Sequence, residues 1–202
     1  MDSSSALYRN IVEFAHSTPA WLQQLMELWT EVGLLLFGVL FVVVWWRART
    51  ASAQAMALAL IAPLGTAVAY VISEVLKSVI HEERPCRAVS GAMPPLIDCP
   101  AHGDWSFPSN HSIIAAAAAV GLAMAVMRLV WLTVPVALLM AFSRVFVGVH
   151  YPHDVLVGLI LGALIALLVI EALTRPMRGL VEKVRSCDVR VAAWFAGPGT
   201  AS

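Results

Sequence analysis

Charge is what this sequence has least of. Of its 202 residues only 13% are charged, 60% are hydrophobic, and the mean hydropathy is +0.81. A soluble domain carries about 25% charged residues, so that class is excluded and an integral membrane protein of one domain remains. Net charge is missing too: 13 Lys and Arg balance 13 Asp and Glu, which leaves no electrostatic footprint for a nucleic-acid partner. The opening stretch MDSSSALYRN lacks a basic segment running directly into an apolar one, so no cleavable signal peptide is expected. Repeats and low-complexity tracts are absent apart from the alanine run 115–119, which reads as close helix packing.

What is present is a set of long apolar runs. A crossing needs roughly 20 residues, and five stretches qualify: 28–46, 54–77, 110–127, 130–149 and 154–173. The expected fold is an all-α membrane helical bundle of five transmembrane helices. Residues 6–26 mix Leu7, Ile11, Val12, Phe14, Trp21, Leu22 and Leu25 with charges and are interrupted by Pro19. They read as an interfacial amphipathic helix, with a short sixth crossing as the alternative. The chain therefore divides into an N-terminal interfacial segment (1–27), a transmembrane domain (28–173) and a basic tail on the inner leaflet (174–202). Counting cations by side of the membrane gives eight on one (Arg47, Arg49, Arg128, Arg175, Arg178, Lys183, Arg185, Arg190) and five on the other (Arg9, Lys77, Arg84, Arg87, Arg144). The richer side is the cytoplasmic one, so the N-terminus is expected outside and the C-terminus inside.

The long loop 78–109 then faces outward, and a loop of that length is usually functional. It holds Cys86 and Cys99, thirteen positions apart. An oxidising exterior permits a disulfide there; two unrelated thiols, or a metal site with His81 or His102, are the alternatives, although the spacing fits no zinc pattern. Cys187 falls inside and is expected to stay free.

Three clusters converge on the outer end. In KSVIHEERP (77–85), Lys77 and Arg84 are seven positions apart, two helical turns, and point the same way if the helix runs on to Pro85. FPSNH (107–111) opens the third crossing, with Ser109 as an N-cap and a helix N-terminus offering unpaired N–H groups. SRVFVGVHYPHD (143–154) supplies Arg144, His150 and Asp154. Three cations and free N–H donors suit a phosphoryl group. Asp154 can hold one tautomer of His150 and leave the other ring nitrogen nucleophilic, and His111 can act as general acid and then general base. Read singly, the cations would snorkel, the serine would merely cap and each histidine would be structural; it is their convergence that carries the chemistry. Glu82 and Glu83 read as solvated, with pairing to Arg84 or Arg87 or a role in shaping or repelling a diphosphate as the alternatives, and His81, His102 and His153 read as surface. Glu74 is expected to face the site or pair with Lys77. Trp21, Trp29, Trp45 and Trp46 read as interfacial belts.

The pattern K-x6-RP, PSxH, SR-x5-H-x3-D resembles the tripartite signature of the type 2 phosphatidic acid phosphatase superfamily, with all three motifs in order across 77–154. The resemblance implies a membrane-embedded helical bundle that uses no metal or other cofactor, in keeping with a sequence that shows no carboxylate cluster arranged for Mg²⁺. It implies His150 as the nucleophile that forms a phosphohistidine, Asp154 as its orienting group, and His111 as acid and base. Lys77, Arg84 and Arg144 would clamp the phosphate, and Ser109 and the N–H of Asn110 would complete the cradle. The chain departs from the family where glycine is commonest, at Asn110, and in this resembles the bacterial branch acting on polyprenyl diphosphates. The implied partners are a lipid phosphate substrate and the surrounding membrane lipids. The leading expectation is hydrolysis of undecaprenyl or decaprenyl diphosphate at the outer face of the cytoplasmic membrane. Phosphatidylglycerol phosphate, phosphatidic acid and a prenyl-phosphosugar are the alternatives. A transporter or channel would spread charge through the bilayer midplane, and a vanadate-binding peroxidase of related chemistry would be soluble; neither matches this distribution.

Overall fold

The computed structural model describes residues 3–187 and 189–199; the parts of the expected terminal segments falling on 1–2, 188 and 200–202 lie outside them. The described chain is all-helical: α1 (Ser3–Ser17), α2 (Ala20–Ala48), α3 (Ala53–Val79), α4 (Pro85–Ala88), α5 (Asn110–Ala125), α6 (Val130–Phe146), α7 (Pro152–Arg185) and α8 (Arg190–Ala196), with a 3₁₀ turn at Met127–Leu129 leading into α6. Four stretches are long and apolar enough to cross a membrane: α2, α3, α6 with its leading turn, and α7. At 16 residues α5 is shorter, about 24 Å at 1.5 Å per residue. The outward faces of α2 and α7 present Leu28, Val32, Leu35 and Val39, and Leu156, Ile160, Leu164 and Leu168. In water such faces would be a liability; in hydrocarbon they are solvated. The protein is an integral membrane protein.

Small residues hold the bundle together, as expected where lipid and helix are equally apolar. Ala115, Ala117 and Ala118 of α5 are fully buried, and α5 packs on α3, α6 and α7. A Cβ on Gly121 would stand 2.8 Å from Ala62 Cβ of α3, and one on Gly158 of α7 would stand 2.9 Å from Ser109 O. The second approach matters most: it brings the N-terminus of α5 against the first turns of α7, where two of the three sequence motifs meet.

The ends differ from expectation in two places. The stretch 6–26 is not one helix, because Pro19 lacks the N–H that a continuous helix requires and stands instead as the residue before α2. Residues 20–27 are thus the first two turns of the first crossing, and α1 is too short, at 15 residues, to span a core about 30 Å thick. Nor does α1 simply lie on the lipid surface: Tyr8, Val12 and Ala15 are buried on protein while Leu7 and Phe14 stay exposed. The Tyr8 hydroxyl donates to Gly148 O (2.9 Å) and an Arg9 Nη to Ser90 O (2.5 Å). At the other terminus α7 continues past residue 173, through Pro176, to Arg185. There α8 folds back: Arg49 Nε donates to Trp194 O (2.8 Å), Arg185 donates to Ala51 O and Ala196 O, and Trp45 packs on Phe195 at 5.4 Å. The tail is tied to the α2–α3 turn.

At the α1 end, the long loop is pinned at many points. Cys86 and Cys99 form a disulfide, a closure worth about 3 kcal/mol in the chain-entropy account. Arg87 crosses the same loop to Glu83, Pro100 O and Ala101 O. Leu96 N donates to Val147 O (3.0 Å) and Ser106 N to Glu82 O (2.8 Å). Cys187 is free and exposed.

Candidate active site

Each motif reaches this end on a different element. Lys77 comes from the last turn of α3, and Arg84 is the residue before α4. Ser109 and His111 come from the start of α5. Arg144 lies in the last turn of α6, and His150 and Asp154 flank the start of α7. The turn between α6 and α7 depends on Gly148, whose φ of +86° belongs to the left-handed region that glycine adopts without a Cβ penalty. Pro152 at the first helical position and Asp154 at the third then fix the start of α7: Asp154 Oδ2 accepts the Tyr151 N–H at 2.8 Å.

His150 is buried. Its Nδ1 lies 3.2 Å from Asp154 Oδ2, and its Nε2 lies 3.1 Å from Arg84 Nη1. With Nδ1–H donated to the carboxylate, Nε2 carries the lone pair and faces the guanidinium. Ser106, from the loop, donates to the same Asp154 oxygen. Arg84 is fixed from three sides: Nη1 donates to Val149 O (3.0 Å), Nε to Asp104 O (2.7 Å) and Nη2 to Asp104 Oδ1 (2.9 Å). Lys77 Nζ reaches the same Asp104 oxygen at 3.2 Å. Arg144 is buried, its Nη1 donates to Thr30 Oγ1 at 2.7 Å, and its Nε has no hydrogen-bond partner among the described residues. A buried guanidinium with a donor left over is costly unless an anion completes it. His111 is half-buried and stands within electrostatic reach of Arg144, His150, Lys77 and Arg84.

Ser109 occupies the position before α5, but its side chain makes no cap hydrogen bond among the described residues. Its hydroxyl is buried and accepts from Ser112 Oγ (3.2 Å), and its N–H donates to Asp154 O (3.2 Å). The Asn110 side chain turns away from the clamp toward α3: Ser73 Oγ donates to its Oδ1 (2.5 Å) and its Nδ2 donates to Glu74 Oε1 (2.6 Å). It thereby ties α5 to α3. Glu74 thus pairs with Asn110; the contact expected with Lys77 is not among the described ion pairs.

Sequence reasoning missed four contributors. Asp104 and Ser106 lie in the loop, outside any motif. His153, read as surface, places Nε2 3.1 Å from Asp154 Oδ1 and 2.9 Å from Glu82 Oε1, while its Nδ1 meets Ser4 Oγ at 2.7 Å. Glu82, read as solvated, therefore belongs to the surroundings of Asp154. One signal was available: His153 adjoins Asp154 on the first turn of a helix.

Burial pushes the His150 imidazole down to about 4, and the charges of Arg84 and Arg144 add to this while Asp154 opposes it. Burial raises the Asp104 carboxyl, but Arg84 and Lys77 outweigh it and hold the group below the usual carboxylate range. A neutral imidazole therefore persists at His150 far into acid. The acid limb of kcat/KM due to His150 is expected near pH 4; a limb near 6.5 would show that the ring is solvated. The same shift bears on folding: the unfolded chain binds the proton first, so the stability held above about pH 6.5 declines as pH falls toward about 4.

Fold and site together define an integral membrane helical protein with a buried histidine–carboxylate pair inside a cationic clamp. The chain belongs to the PAP2 superfamily, whose model matches residues 58–178. It is 34% identical over 121 residues to an undecaprenyl-diphosphatase of Sulfolobus acidocaldarius, covering 59% of this chain and 57% of that protein. It is 38% identical over 112 residues to a decaprenylphosphoryl-5-phosphoribose phosphatase of Mycobacterium tuberculosis, covering 54% and 58%. The chain thus spans under two thirds of the length of these curated relatives. The crystal structure of a transmembrane PAP2-type phosphatidylglycerolphosphate phosphatase from Bacillus subtilis superposes with a TM-score of 0.62 at 26% identity, covering 94% of this chain and 90% of that one.

Proposed function

We propose that this protein is a metal-independent lipid phosphatase that hydrolyses a polyprenyl diphosphate, undecaprenyl or decaprenyl, to the monophosphate through a phosphohistidine at the extracytoplasmic face. The observation that carries the reading is the buried His150, with Nδ1 on Asp154 and Nε2 beside Arg84. In the first step Nε2 attacks the terminal phosphorus, an N–P bond forms, and the P–O bond to the leaving group breaks. Arg84, Arg144 and Lys77 balance the charge on the equatorial oxygens, which supplies from side chains what a metal supplies elsewhere. His111 protonates the leaving oxygen and then takes a proton from the water that cleaves the N–P bond. Asp154 steadies the imidazolium character that develops on His150.

The site lies at one end of the bundle, where the three motif cations and Arg87 account for four of the five residues on the cation-poor side. That supports an outward-facing site, with the N-terminus outside and the lipid tail among the helices. Both curated relatives named above act on polyprenyl-linked phosphates by their names, which supports the tail; the Asn110 variation at the middle motif favours the diphosphate. Phosphatidylglycerol phosphate is the second reading, favoured by the structural neighbour. The test is phosphate release by detergent-purified protein, in chelator, from a polyprenyl diphosphate, a polyprenyl-phosphosugar phosphate, phosphatidylglycerol phosphate and phosphatidic acid. The diphosphate is expected to lead by at least about tenfold in kcat/KM, a margin of about 1.4 kcal/mol. A lead by any other lipid reassigns the substrate, and activity lost in chelator and restored by Mg²⁺ overturns the metal-free mechanism.

A further inference from the structure

Beside the clamp lies a cavity of about 450 Å³, walled by Lys77, Ser78, His81, Asp104, Trp105 and Glu74. It shares Lys77 and Asp104 with the clamp. Arg84 places Nη1 at the nucleophile (3.1 Å from His150 Nε2) and Nη2 at Asp104 Oδ1 (2.9 Å). Lys77 Nζ reaches the same oxygen at 3.2 Å and lines the cavity. A carboxylate oxygen shared by two buried cations stands where a phosphate oxygen would bind. Asp104 itself is replaceable: its side chain is 49% exposed, and it follows Gly103, which has a φ of +89° and open space around it. Of the other walls, Glu74 is turned to Asn110 and the Ser78 hydroxyl to Val75 O. His81 stands against Trp105 at 4.8 Å as a further donor on the cavity.

We propose that this cavity is a second-phosphoryl subsite, in which His81 holds the inner phosphoryl of a diphosphate, Lys77 bridges it to the terminal phosphoryl in the clamp, and Asp104 is the carboxylate that a diphosphate displaces. The subsite rests on the diphosphatase reading given above. In-line displacement places the leaving oxygen opposite His150 Nε2, and Lys77 and Asp104, which Arg84 links to His150, both line the cavity. An inner phosphoryl seated there is already in the position of the leaving group. A monophosphate fills the clamp and leaves the cavity to water.

Two measurements test this. The first is calorimetric binding of methylenediphosphonate and of inorganic phosphate to the full chain in detergent, which needs no turnover. The diphosphonate is expected to bind about tenfold more tightly. His81→Ala should remove most of that advantage, and Asp104→Asn should increase it several-fold. Equal binding of the two anions, or an advantage untouched by both substitutions, overturns the subsite. The second is the kcat/KM ratio of a short-chain polyprenyl diphosphate to its monophosphate, expected to fall about tenfold in His81→Ala. An unchanged ratio also overturns the subsite. Tight diphosphonate binding without hydrolysis of any lipid diphosphate by the unsubstituted protein overturns the diphosphatase reading and leaves the subsite standing.

Discussion

His150→Ala is expected to lower phosphate release from the lipid diphosphate by at least about 10⁴-fold and to abolish phosphoenzyme formation. The magnitude follows from the proposed role: without a nucleophile at His150 the reaction would proceed by direct attack of water, keeping only the charge stabilisation of the clamp, and nucleophile deletions elsewhere have costs of this order. The structure also indicates that the variant folds. Arg84 keeps its hydrogen bonds to Val149 O and Asp104 O, and Asp154 keeps those from Tyr151 N and Ser106. No charged partner of His150 is thereby orphaned, so the variant should insert, elute as a single species and melt within a few degrees of the parent. Rapid acid-free quench with labelled substrate should trap an acid-labile phosphoryl group on the parent and none on the variant. Parental turnover in a well-folded His150→Ala protein would end the phosphohistidine mechanism.

The motif residues could be named before the fold was known because their types, order and spacing match a known signature across 77–154. His150 and Asp154 stand four residues apart across the start of α7, a separation the sequence conveys directly, whereas the two helical turns expected between Lys77 and Arg84 are not formed: α3 ends at Val79, and Arg84 reaches the site from the extended stretch before α4. The crossings were legible because composition alone decides which runs tolerate hydrocarbon. Illegible were the residues whose placement depends on loop closure. Asp104 and Ser106 reach the clamp only because the Cys86–Cys99 bridge, Arg87 and the Ser106–Glu82 hydrogen bond fold a thirty-residue connection back over α3 and α7. No periodicity encodes that. Asn110 shows a subtler limit. Its departure from glycine was visible, but the reason, an amide bridging Ser73 and Glu74, needs the distance between two helices. Pro19 shows the reverse: the break was written in the sequence, yet the amphipathic pattern on both sides suggested one continuous element.

His111→Gln separates the two half-reactions, and its effect depends on the leaving group. Breaking a phosphoanhydride releases a phosphate monoester, whose second pKa is about 6; this group departs with little help from an acid. Breaking a simple phosphate ester releases an alkoxide, which departs slowly unless it is protonated. Water attack on the phosphohistidine needs a base in either case. With a lipid diphosphate, His111→Gln is therefore expected to form the phosphoenzyme at near-parental rate and then stall, giving a burst of lipid monophosphate equal to the enzyme concentration. Steady-state release should fall by about 10²–10⁴-fold, the usual weight of a general base. With phosphatidic acid the same variant should show no burst, because the first step is now the slow one. Glutamine retains bulk and hydrogen-bonding capacity at a half-buried helix start, so loss of fold is not the expected cause. The position of the phosphoryl group, read by mass spectrometry of the stalled enzyme, should be His150. A burst absent with the diphosphate, with both substrates slowed alike, would place His111 in the clamp and remove it from proton transfer; the base for the second step would then have to be sought among the groups around Asp154, where Glu82 and His153 already meet.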